Sequence, residues 1–177
     1  MRLSSFAVPV AALLFSLVSA ARAAAPKTDV YFGYSRVGAN LYEPNTTGMN
    51  GWQFAMHVKP MPFVGIEGDV SRYTQSPLGF SQQATLVMFG PRVTAHAAGL
   101  SLFAHGLAGF THESATGIDF PSISYNAASY ALGAGADVPL LLGFKLRITG
   151  DYLGNSKAPS SPSPSHYRVG VGVAYHF

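Results

Sequence analysis

Tyr167-Arg168-Val169-Gly170-Val171-Gly172-Val173-Ala174-Tyr175-His176-Phe177 is the last stretch of the sequence. Alternate positions Tyr167, Val169, Val171, Val173, Tyr175 and Phe177 are all apolar or aromatic, whereas Arg168, Gly170, Gly172, Ala174 and His176 are small or polar. Successive side chains of a β-strand point to opposite faces, so this strict alternation predicts a strand set between two different environments. Its length matches the roughly 9–11 residues that a tilted strand needs to cross a bilayer.

Seven further strands are expected upstream, at about Thr28–Arg36, Gly51–Lys59, Phe63–Tyr73, Gln83–Thr94, Leu102–Thr111, Ala127–Val138 and Phe144–Leu153. The connections alternate in length. Long polar or Gly/Pro/Ser-rich loops fall at about 37–50, 74–82, 112–126 and 154–166, and short turns at Pro60–Pro62, Ala95–Ser101 and Pro139–Gly143. Long loops at one end and short turns at the other predict an all-β, eight-stranded antiparallel up-and-down transmembrane β-barrel, with both termini at the short-turn end. The Pro/Ser-rich run 156–165 reads as a loop tip, because only one strand follows it.

The other end of the chain supports export. Arg2, the apolar run from about Phe6 to Val18, and the small residues Ala21 and Ala23 form the three regions of a secretory signal peptide. The apolar run is too short for a membrane helix, which needs about 20 residues. Residues 1–23 are therefore expected to be a cleaved signal peptide, and 24–177 a single outer-membrane barrel domain. Cleavage removes Arg2 and Arg22, which leaves nine of the eleven basic residues against eight acids. The mature chain is nearly neutral, with no basic stripe for nucleic acid. The absence of cysteine excludes disulfides and thiol chemistry. An exported, apolar chain without a spanning helix has one common solution, a barrel whose lipid face is hidden by alternation.

Most strands have a legible lipid face. Trp52, Phe54, Met56 and Val58 share one face, as do Leu146, Ile148 and Tyr152, and Val64, Ile66 and Val70. A charge facing lipid costs about 2–4 kcal/mol near the midplane, so the opposite set must line the interior. That set contains Glu67, Asp69, Asp137 and Asp151 with Arg92, Lys145, Arg147 and Arg168, four acids and four bases. An eight-stranded barrel is only wide enough for side chains to fill it, so these charges are expected to pair as a network that plugs the interior. Two strands stay open in facing, around 83–94 and 102–111: Leu86-Val87-Met88-Phe89 is apolar on both sides, and Gly90-Pro91 suggests a bend or bulge. Aromatic residues collect near strand ends. Tyr34, Trp52, Tyr130, Tyr152 and Tyr167 lie towards the long loops, and Phe144, Tyr175 and Phe177 towards the short turns, as two interfacial girdles would.

Six stretches in order carry a family likeness: Val30–Ser35, Gly65–Ser71, Met88–Arg92, Leu132–Asp137, Leu146-Arg147 with Asp151-Tyr152, and Tyr167–Phe177. On these the chain resembles the OmpA-like outer-membrane β-barrel domain family. The resemblance implies residence in the outer membrane among phospholipid and lipopolysaccharide. It also implies insertion by the barrel-assembly machinery, with Tyr175 and Phe177 as the assembly signal. The peptidoglycan-binding domain of full-length OmpA has no counterpart here, so a cell-wall anchor is not expected.

Three functions compete. A non-enzymatic barrel that displays surface loops for structural, adhesive or interaction roles requires nothing beyond these features; Leu41, Tyr42, Ile118, Phe120 and Ile123 are candidate contacts for a loop ligand the sequence does not identify. A narrow gated pore is the alternative. A lipid A-modifying enzyme is a third, since His112-Glu113-Ser114 offers a base, an acid and a nucleophile. Neighbours on a strand point to opposite faces, so Glu113 could not orient His112, and no catalytic residue is expected. His57 and His176 could approach each other near the short-turn end, but without a nearby carboxylate they read as space-filling polar residues. No metal or cofactor is expected.

Overall fold

The computed structural model describes residues 27–39, 48–76, 80–117, 122–155 and 166–177. The expected signal peptide, Leu41, Tyr42, Ile118, Phe120 and the run 156–165 lie outside these residues. The strands are β1 (Lys27–Ala39), β2 (Met49–Lys59), β3 (Val64–Gln75), β4 (Phe80–Ala97), β5 (Leu100–Gly117), β6 (Ile123–Pro139), β7 (Phe144–Asn155) and β8 (His166–His176). Each pairs antiparallel with its sequence neighbours. β8 closes on β1, from Asp29 opposite His176 to Gly38 opposite Tyr167. Closure satisfies the backbone of every strand from its neighbours and removes sheet edges, the condition for standing in lipid.

Outward positions carry Phe32, Val87, Phe89, Phe110, Leu132, Ile148, Val169, Val171 and Val173, all well exposed. A continuous apolar surface of this extent is not one that water solvates; it is a lipid-facing belt. Inward positions are buried, Arg168 completely so. The two strands left open now have a facing. Leu86 and Met88 point inward with Val87 and Phe89 outward, and Phe103, His105 and Leu107 point inward. The contrast between faces is lost at Leu86, Met88 and Leu107, where the lumen is apolar. Tyr73, Leu86, Met88, Leu107, Ala131 and Leu153 form one buried cluster across it.

Three expectations about the chain's course are corrected. First, Gly90-Pro91 adds no bulge: pairing of β4 with β5 runs to Phe89–Ala108 and resumes at Arg92–His105 in the same register. Pro91 has no N–H to donate, so the ladder skips it without shifting. Second, the turn expected over Ala95–Ser101 is only Ala98-Gly99, with φ of 52° and 80°; the mirror-image turn with both central residues at positive φ matches strand twist. Third, much of the loop expected at 112–126 is strand. β4, β5 and β6 have 18, 18 and 17 residues, against 11 to 13 in the others. β6 begins at Ile123, whereas its pairing with β7 begins only at Ser129–Asn155. The wall of β4–β6 therefore forms a ledge on the long-loop side, β6 rising about 15 Å past its pairing with β7 and β4 only from Phe80 to Ser81 past its pairing with β3.

Candidate functional site

Inward alternation on six strands brings a set of ionisable side chains to mid-barrel. Glu67 and Asp69 come from β3, Arg92 from β4, His105 from β5, Asp137 from β6, Arg147 and Asp151 from β7, and Arg168 from β8; all are buried. Arg147 donates from Nε and Nη2 to both oxygens of Asp137, at 2.6 and 2.8 Å. Arg92 donates from Nη1 to Glu67 Oε2 at 2.6 Å and reaches Asp137 Oδ2 at 3.4 Å. Arg168 donates from Nε to Asp151 at 2.6 Å and from Nη1 to Asp69 at 2.9 Å. Gln53 Nε2 completes Asp69 at 2.6 Å. Such short, charge-assisted contacts are the strong class of hydrogen bond.

Lys145 is not part of this set, contrary to the sequence-based grouping. It stands next to Leu146 and before Arg147 on β7, nearer the short-turn end, where Nζ donates to Asp29 at 3.1 Å. The fourth cationic position is filled by His105, whose Nε2 lies 2.7 Å from Asp151 Oδ1 and whose Nδ1 makes an ion-pair contact of 2.8 Å with Glu67 Oε1. Nε2 makes a hydrogen bond with Asp151, whereas Nδ1 stands close to Glu67 without hydrogen-bond geometry. Four carboxylates then meet three guanidinium groups and one imidazole. The sequence hid this role, since His105 lies on a strand whose facing was open. Phe103 was missed for the same reason; Arg92 stacks 3.6 Å over its ring centre and Arg147 stands 5.0 Å away.

Below the network, Asp29 lies between the two histidines that the sequence left without a carboxylate. His176 Nδ1 is 2.7 Å from Asp29 Oδ1 and His57 Nδ1 is 3.5 Å from Oδ2. Among the described residues no three potential ligands gather as a metal site. Above the network sits the apolar cluster, and above that a cavity of about 230 Å³ opens towards the long-loop end. Val37, Met49, Leu86 and Leu153 line its apolar part, and Glu113, Asn155 and His166 are among its polar lining.

His112, Glu113 and Ser114 lie in β5, not in a loop, and their partners are opposite them on β6. His112 Nδ1 is 2.7 Å from Asn126 Oδ1, and Tyr125 donates its hydroxyl to Glu113. Partial burial, together with the Glu113 carboxylate, pushes the Tyr125 phenol up to about 12. The aromatic residues stand in two levels. Tyr152 packs against Tyr130 and Tyr167, at 6.4 and 5.7 Å, with Tyr34 and Trp52 at the same outer end. Phe144, Tyr175 and Phe177 pack in sequence at 4.8 Å each at the other end.

No family model matches the chain, and no characterised relative matches it by sequence. Solved structures do match. Ail, the attachment invasion locus protein of Yersinia pestis, aligns over 86% of this chain and 99% of its own, with a TM-score of 0.60 and 20% identity. Neisserial surface protein A aligns over 85% and 96%, with a TM-score of 0.65 and 9% identity. The N-terminal barrel domain of Pseudomonas aeruginosa OprF aligns over 86% and 98%, with a TM-score of 0.53 and 14% identity. At these identities the likeness is one of fold. The chain has the fold of the small eight-stranded outer-membrane β-barrels.

Proposed function

We propose that this protein is a non-enzymatic barrel of the bacterial outer membrane that serves as a closed scaffold for its extracellular rim. The observation that carries this reading is the filled cross-section: eight charged or ionisable side chains paired across the lumen, with an apolar cluster stacked above them. An ion passing through would have to part buried pairs, and breaking such a pair costs about 3–5 kcal/mol. What remains free to interact is the rim, above all the β4–β6 ledge and the cavity beside it. In this reading phospholipid and lipopolysaccharide solvate the belt. Tyr34, Trp52, Tyr130, Tyr152 and Tyr167 mark the outer interface and Phe144 the inner one, and Tyr175 with Phe177 is what the barrel-assembly machinery reads. That a barrel of this fold can serve at a cell surface is supported by the attachment invasion locus protein, though fold alone does not set function.

Two measurements test the proposal. The purified protein in planar bilayers is expected to be electrically silent; a steady conductance would favour the gated pore instead. Cells displaying the protein are expected to adhere to immobilised matrix proteins or sulfated polysaccharides more than cells displaying a variant with residues 112–126 replaced by a short turn. Equal adherence on every surface removes the role assigned to the rim.

A further inference from the structure

Two of the three short turns carry largely exposed apolar side chains. In the β6–β7 turn Leu140, Leu141 and Leu142 are 54%, 81% and 88% exposed, and in the β2–β3 turn Met61 and Phe63 are 62% and 63% exposed. Leu142 also takes a left-handed backbone, φ 57°, beside Gly143. Each leucine left in water forgoes the free energy of burying its side chain. The third turn is different, with His96-Ala97-Ala98-Gly99 small or polar.

Strand length separates the two kinds of turn. A tilted strand climbs about 2.5 Å along the barrel axis per residue, so an apolar belt about 25 Å tall needs about ten residues. β5 covers that span from Phe110 down to Leu100, and its turn is small. β2 has only Trp52 to Lys59 below the outer aromatic level, and β7 only Tyr152 to Phe144. β2 falls short by about two residues and β7 by about one. The belt is completed on those sides only by the apolar turns. The surface is also continuous, since Leu140–Leu142 lead directly into Phe144 and its stack with Tyr175 and Phe177. Lys27 and Lys59 pair across strands at this same rim, whose acid Asp29 is engaged by Lys145 and His176. The rim is thus apolar and basic, the chemistry that suits a leaflet of anionic phospholipid.

We infer that Leu140–Leu142, with Met61 and Phe63, are immersed in the acyl boundary of the inner leaflet and complete the lipid-facing belt where β2 and β7 stop short. This rests on the membrane-spanning reading of the barrel. In a Trp52→Phe background, Leu141→Trp, Ala98→Trp and Val171→Trp are compared in phosphatidylethanolamine–phosphatidylglycerol vesicles, with and without brominated acyl chains. The indole at position 171 reports insertion of the barrel itself. The one at 141 is expected to emit to the blue of the one at 98 and to be quenched several-fold more by the bromines. Quenching at 171 with a water-like, unquenched emission at 141 overturns the inference and leaves the barrel in place. An unquenched indole at 171 overturns both.

Discussion

Replacing Arg168 by methionine keeps most of the side-chain volume and removes one charge from the middle of the lumen. Arg168 is fully buried and donates to Asp151 at 2.6 Å and to Asp69 at 2.9 Å. Loss of one partner from a buried pair costs about 3–5 kcal/mol, because the other charge stays buried without it. Here the cost is held to that range, since Asp69 keeps Gln53 and Ser71, and Asp151 keeps His105. At 1.4 kcal/mol per factor of ten, a loss of about 4 kcal/mol lowers the folding constant by roughly a thousandfold. Adding Asp151→Asn restores the charge balance, so the double variant should recover about 1–2 kcal/mol relative to additivity. Urea titration in lipid vesicles, followed by the fluorescence of the single tryptophan, Trp52, measures both quantities. A loss below about 1 kcal/mol for Arg168→Met, or strict additivity in the double variant, would refute the view that these charges act as one paired network.

Other outcomes follow from single contacts. A β-carbon at Gly133 would overlap the Asp151 carboxylate, which His105 and Arg168 hold in place, whereas at Gly68 it meets nothing within 4 Å. Gly133→Ala should therefore cost about 1–3 kcal/mol in the same titration, and Gly68→Ala close to nothing. Tyr125, on the ledge, has its phenol raised from 10.0 to about 12 in the folded protein. A raised value favours the protonated form, so its stabilising effect is complete below pH 10 and is lost as pH rises towards 12. Phenolate absorbance should show one tyrosine ionising late, and Glu113→Gln should bring it back towards 10. Phe177 donates its backbone N–H to Thr28 at 2.9 Å and stacks on Tyr175. Phe177→Ala should lower the yield of folded barrel in cells far more than it lowers the stability of refolded protein, by about 1–2 kcal/mol; equal losses in both would remove its role in assembly.

How much of this was legible in the sequence depends on whether the two faces of a strand see different solvents. In β8, β7, β6, β3 and β2 they do, so alternation alone identified the strands, their lipid faces and the inward set Glu67, Asp69, Asp137, Arg147, Asp151 and Arg168. Hydrocarbon excludes charge, so those residues had one direction to point. β4 and β5 lack the contrast, because the lumen beside Leu86, Met88 and Leu107 is itself apolar. Their facing, and with it the placement of Phe103 and His105, needed the closed barrel. The ledge was hidden for a related reason: above the membrane both faces of β4–β6 are wet, and a strand with two polar faces reads like a loop. Pairing was hidden as well. Lys145 and Arg147 alternate identically along β7, yet their depths in the barrel send one to Asp29 and the other to Asp137. The sequence by itself determined a lipid-facing barrel with charge inside, because the bilayer enforces that pattern locally. Only the tertiary structure decided which charges meet, because depth and register are set by all eight strands together.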